Sequence, residues 1–79
     1  MQLTYDQKAD ALYIRFSNNA FGYTESLDEN RHLDYVTDRS LIGIEILYPS
    51  LGVLVDQLPH QVGRLLEEHG FKVLTSSAS

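Results

Sequence analysis

Ile42, Ile44 and Ile46 alternate with Leu41, Gly43, Glu45 and Leu47. β-Branched residues at period two put one face of a strand in a core, whereas a helix would scatter them around its circumference. Upstream, Leu33 and Tyr35 alternate with His32, Asp34 and Val36, and Thr37-Asp38-Arg39-Ser40 between the two runs are turn formers. Asp34 to Leu47 therefore reads as a β-hairpin around which the chain is organised. Pairing Val36 with Leu41 sets Tyr35 opposite Ile42 and Leu33 opposite Ile44, so both inner pairs are apolar. The outer face then holds Asp34 opposite Gly43 and His32 opposite Glu45. A slip of one residue would set Asp34 opposite Ile42, which a buried face excludes.

The same parity test applies nearer the N-terminus. Leu3 and Tyr5 alternate with Gln2 and Thr4, and Leu12, Ile14 and Phe16 alternate with Ala11, Tyr13 and Arg15. Pairing Asp6 with Ala11 sets Tyr5 opposite Leu12, Leu3 opposite Ile14 and Met1 opposite Phe16, which predicts a second hairpin. Ser17 to Gly22 reads as a loop. Tyr23 to Leu27 reads as a strand whose register stays open, and Asp28-Glu29-Asn30 as a turn.

Pro49 stops pairing after Leu47. Leu51 to Val55 is ambiguous: Ser50 suits the cap of a helical turn, while Val53 and Val55 favour an extended segment. Leu58 to Gly70 is the best helix, with Pro59 near its start, Val62, Leu65, Leu66 and His69 at helical spacing, and Gly70 at its end. Phe71, Val73 and Leu74 suit a last short strand or a docking segment. Thr75 to Ser79 reads as a frayed tail.

The fold class is α+β: an antiparallel sheet of four to five strands built from β-hairpins, followed by a C-terminal helix packed on one face. The whole chain, 1–79, reads as one small domain, with the sheet in 1–48, a helical segment in 49–74 and a tail in 75–79.

At 79 residues such a domain buries only about 60% of its unfolded surface, and small scaffolds usually need a staple. Cysteine is absent, which excludes disulfides and thiolate metal sites. Self-association, a metal held by His and carboxylates, or a partner remain as staples. A net charge of −5 argues against nucleic acid and anionic membranes and suits a basic partner. No apolar run approaches the roughly 20 residues of a membrane span. Met1 to Tyr5 lacks the pattern of a signal peptide, so a cytoplasmic location is the default expectation.

Tyr5-Asp6 followed by Ala9-Asp10-Ala11-Leu12-Tyr13-Ile14-Arg15, then Leu33-Asp34-Tyr35, then Gly43-Ile44-Glu45-Ile46-Leu47 resembles the bacterial domain of unknown function 2283 family. The resemblance runs from about Leu3 to Ser50 and leaves the helical C-terminal part uncovered. The family usually has a glycine in the turn before the last of these strands, where this chain has Arg39-Ser40. The family has no established activity, so the resemblance implies a fold and not a mechanism. Its small acidic members are sometimes encoded beside small toxin-like proteins, which implies an antitoxin-like alternative.

The candidate polar residues are Asp6, Asp10, Arg15, His32, Asp34 and Glu45. Paired carboxylates such as Asp6 and Asp10 suit acid–base work or a hard cation. The same residue type in a turn ordinarily bonds backbone amides. Arg15, Asp34, Glu45, His32 and Tyr13 form a small polar site if their strands are neighbours, and otherwise a solvated face with cross-strand ion pairs. His60 and His69 lack the one-turn spacing that aims two ligands from one helix face, and His69 suits the negative end of the helix dipole. Ser17, Ser26 and Ser50 show no nucleophile signature, and no phosphate-binding loop or cofactor motif is present. Tyr13, Val36, Leu41, Leu47 and Tyr48 are the candidate interface, because their apolar area on the outer face calls for cover.

The sequence thus favours a non-enzymatic interaction module that associates with itself. The alternatives are a neutraliser of a small basic protein, or a metal- or ligand-binding protein using the sheet carboxylates.

Overall fold

The computed structural model of the chain describes residues 1–76. The chain divides into two units, one of Met1–Leu47 and one from Tyr48 onward.

The first unit is a sheet of β1 (Gln2–Asp6), β2 (Ala11–Arg15), β3 (Tyr23–Ser26), β4 (Arg31–Tyr35) and β5 (Leu41–Leu47) in the order β1-β2-β5-β4-β3. Every neighbouring pair is antiparallel. The first hairpin has the register that parity predicts, with Tyr5 opposite Leu12, Leu3 opposite Ile14 and Asp6 opposite Ala11. In the second, Leu33 lies opposite Ile44, Asp34 opposite Gly43 and His32 opposite Glu45, again as predicted.

A β-bulge then shifts the register between Asp34 and Tyr35, so that Tyr35 faces Leu41 rather than Ile42. This corrects the placement of Leu41. Cross-strand partners share a face, so Leu41 joins the side of Tyr35 and Leu33 and is not an outer-face residue. The cause lies in the turn. Val36 N–H donates to the Ser40 carbonyl at 2.9 Å and Arg39 N–H to the Val36 carbonyl at 3.0 Å, while Arg39 takes a left-handed φ of 73°. A turn closed this way leaves one extra residue on β5.

The turn between β1 and β2 is held by Asp6, whose Oδ1 accepts the backbone N–H groups of Lys8 at 3.0 Å and Ala9 at 3.2 Å. Asp10 follows with a left-handed φ of 50°. The approach to β3 depends on Gly22. Its N–H donates to the Tyr35 carbonyl at 2.8 Å, and a Cβ there would lie 2.7 Å from the Thr37 nitrogen.

One face of the sheet carries the buried residues Leu12, Ile14, Leu33, Ile44 and Ile46, with Ile42 at the bulge. Each such side chain contributes about 1.5–3 kcal/mol on burial. Arg31 shares that face, opposite Ile46, and is only 5% exposed. Its Nε donates to Asp28 Oδ2 at 2.8 Å. Burial pushes the Asp28 carboxyl up, but Arg31 and the backbone N–H of Asn30 outweigh it and hold the group below its ordinary value.

The second unit holds a 3-10 turn at Pro49–Leu51, β6 (Val53–Leu54), α1 (His60–Glu68) and β7 (Val73–Leu74). β6 and β7 pair in parallel, which the sequence reading does not anticipate. A parallel pair needs a crossover of a dozen or more residues, and α1 lies within it. The ambiguous stretch resolves both ways, as a helical turn at 49–51 and a strand at 53–54. Val53, Val62 and Leu66 are buried here.

α1 ends in a Schellman motif. Phe71 N–H donates to the Leu66 carbonyl at 2.9 Å, Gly70 N–H to the Glu67 carbonyl at 3.0 Å, and Gly70 has φ 85°. His69 Nδ1 lies 2.9 Å from the Leu65 carbonyl, at the helix end as expected. Ser76 N–H donates to Asp56 Oδ1 at 3.3 Å, and its hydroxyl also bonds that carboxylate. Of the frayed-tail reading, residues 77–79 fall outside the described residues.

Two outcomes follow from the local backbone and charge. Gly70→Ala should destabilise the protein by about 1 kcal/mol, since an L-residue resists the left-handed φ, and urea unfolding checks it. Asp28 contributes stability that is present above its ordinary value of 3.8 and is lost as pH falls through that value and below. Asp28→Asn should therefore show a shallower acid loss of stability as pH falls through 3.8 and below, followed by circular dichroism.

Candidate functional site

The sheet order makes β2 and β4 the two neighbours of β5. Residues on the outer face consequently fall into two cross-strand rows. One runs Tyr13, Glu45, His32, Ser26, and the other Arg15, Gly43, Asp34, Thr24.

Asp34 is the hub. Tyr13 O–H donates to its Oδ2 at 2.8 Å, and Thr24 Oγ1–H donates to its Oδ1 at 2.7 Å. Tyr13 and Asp34 lie in different rows on strands either side of β5, so the phenol crosses β5 to reach the carboxylate. Gly43 makes that possible, because a Cβ there would fall on the Tyr13 hydroxyl. The Arg15 guanidinium lies 5.4 Å from the centre of the Tyr13 ring, at cation–π distance. Burial and the hydrogen bond to Asp34 push the Tyr13 phenol up to about 12, with the Asp34 and Glu45 charges adding and Arg15 opposing.

His32 is held from both sides. Its Nδ1 lies 2.6 Å from Ser26 Oγ and its Nε2 3.1 Å from the Glu29 carbonyl. In the tautomer whose Nε2–H donates to that carbonyl, Nδ1 accepts the Ser26 hydroxyl. Glu45 sits between Tyr13 and His32 in its row and is exposed, as are Arg15, Thr24 and Ser26.

Four of the six candidate polar residues, Arg15, His32, Asp34 and Glu45, thus lie on one face, and Tyr13 joins them. Asp6 and Asp10 do not enter the network. Asp6 caps the turn between β1 and β2, and Asp10 Oδ1 accepts the Tyr5 hydroxyl at 2.9 Å. Among the described residues no group of three or more His, Cys, Asp or Glu side chains is placed to hold a metal ion. With a hydroxyl on each oxygen, Asp34 serves as a structural acceptor.

Of the interface candidates, Val36, Leu41 and Leu47 are half-buried, and Tyr48 is 53% exposed with a left-handed φ of 55°. Sequence reasoning misses Thr24, Ser26 and Gly43, because their roles depend on the pairings of β3 with β4 and β2 with β5. It also misses Arg31. A signal existed there: Arg31 has the parity of Leu33 and Tyr35 and follows Asp28 by three residues.

A family model described as protein of unknown function (DUF2283) matches residues 2–50. The chain belongs to this family. The DUF2283 stretch contains all five strands of the antiparallel sheet and every residue of the Asp34 network. No curated protein and no solved structure matches the chain.

Gly43→Ala should destabilise the protein by about 1–3 kcal/mol, the ordinary cost of overpacking. The same substitution in a Tyr13→Phe background should cost less, since the ring, whose carbons also crowd that Cβ, is no longer held over Gly43 by the hydrogen bond to Asp34 and can move aside. Because folding raises the Tyr13 phenol to about 12, its contribution is complete below its ordinary value of 10.0 and is lost as pH rises through about 12. Tyr13→Phe should flatten that alkaline loss, read by circular dichroism and phenolate absorbance.

Proposed function

We propose that this DUF2283 protein is a non-enzymatic interaction module that binds another protein through the outer face of its five-stranded sheet. The observation that carries this reading is the Asp34 network. Tyr13, Thr24 and Asp34, from three different strands, are locked together on a face where Arg15, Ser26 and Glu45 stand in solvent. Side chains fixed before contact lose less freedom on binding, which favours recognition. Tyr13 and Arg15 are residue types enriched where proteins meet, and Glu45 adds an exposed charge at the centre of the face.

A second reading narrows the partner to a small basic protein that the chain neutralises. The net charge of −5 and the position of Glu45 on the exposed face favour it. Opposite charge at such a face speeds association and selects partners.

Retention of a partner from native lysate by the tagged protein tests both readings. Glu45→Lys, which touches no hydrogen bond of the network, should reduce retention at least tenfold, equivalent to about 1.4 kcal/mol. A retained protein with a strongly basic composition favours the neutraliser. Equal retention by wild type and Glu45→Lys would reject this face as the binding surface.

A further inference from the structure

We propose that two copies of the chain join through β3, edge to edge and antiparallel, with Glu25 of each copy meeting Arg39 of the other. This rests on the interaction-module reading and gives it a second, self-associating surface with a defined register.

β3 is a terminal strand of the sheet, and all four of its residues are exposed. Leu27 N–H donates to the Arg31 carbonyl at 2.9 Å. Alternation from that bond directs the backbone of Tyr23 and Glu25 toward β4 and leaves the N–H and C=O groups of Thr24 and Ser26 on the open edge. Proline, lysine and bulges protect many edges, as do shortness and charge. β3 is short and carries one charge, but it has no proline, lysine or bulge. Its single charge, Glu25, therefore decides which neighbour it accepts.

Glu25 lines an open depression together with Tyr23, Tyr35, Thr37 and Arg39. Tyr23 and Tyr35 stack there at 5.2 Å. Neither Glu25 nor Arg39 forms an ion pair among the described residues. Arg39 also occupies its place at φ 73°, a conformation an L-residue adopts at a cost. The depression thus carries an acid and a base, both unpaired among the described residues.

A two-fold axis makes such a pair self-complementary, because each residue meets the other kind on the second copy. Registers can be compared directly. An axis at Glu25 sets the two glutamates opposite each other, which is unfavourable. An axis at Thr24 sets Glu25 across from the partner's Tyr23, on the side where the partner's Arg39 lies. Thr24 then exchanges both outward backbone hydrogen bonds with the partner's Thr24. Phe21, 62% exposed, and Tyr23, 37% exposed, supply apolar area at the same edge. A contact of one short strand belongs with weak, reversible interfaces, so the dimer should form in the micromolar range.

Sedimentation equilibrium of the full chain over a wide concentration range tests this, with circular dichroism confirming that each variant is folded. Wild type should dimerise. Glu25→Arg and Arg39→Glu should each weaken dimerisation at least tenfold, and an equimolar mixture of the two should restore a dimer, since every cross-pair is again opposite in sign. A wild type that stays monomeric, or a dimer indifferent to both substitutions, would overturn the proposal. The Glu45→Lys retention assay separates the two readings. A monomeric chain that still retains its partner through Glu45 overturns only the dimer. A dimer that shows the charge-swap pattern but retains nothing overturns only the outer-face reading.

Discussion

The crossing of the Tyr13 side chain over Gly43 is the contact on which the rest of the outer face depends. It joins β2 to β4 above β5, and through Asp34 and Thr24 it reaches β3. One phenol therefore ties four strands of the first unit on the face opposite its buried isoleucines. Glycine in a strand centre ordinarily weakens it. Here the aromatic ring fills the space that a side chain would take, and a hydrogen bond fixes the ring in place.

Left-handed residues mark several of the chain's sharp turns. Asp10, Arg39 and Tyr48 each adopt positive φ. Asp is among the residues that tolerate that region; Arg and Tyr are not, so the last two turns hold conformations their own residues resist. At Arg39 the consequence extends into the sheet, because the turn it completes produces the bulge that moves Leu41 to the other face. Strain of this kind persists where the surroundings over-determine it, and it gathers at surfaces with a role.

Much of the hairpin pairing is legible from parity alone. Leu3, Tyr5, Leu12, Ile14, Leu33 and Ile44 fall where alternation puts them, because a slip of one residue exposes a whole apolar face. Alternation is blind to the bulge, since an extra residue is a property of the turn that closes the hairpin. The site is legible only as a set of candidates. Arg15, His32, Asp34 and Glu45 share a face by parity, but whether they meet depends on β2 lying beside β5, a pairing between residues about thirty apart in sequence. Asp6 and Asp10, four residues apart and so the easiest pair to notice, turn out to serve their own turn.

By itself the sequence determined the local elements: two hairpins with apolar inner faces, a helix with a glycine stop, and an acidic chain without cysteine. These follow from period, from turn chemistry and from charge, all of which act over a few residues. Only the tertiary structure decided the strand order, the parallel pairing of β6 with β7, and the position of Tyr13 over Gly43. Each brings together residues whose pairing no local propensity specifies. Their arrangement is chosen by how the whole sheet buries its apolar side while keeping every polar group partnered or wet.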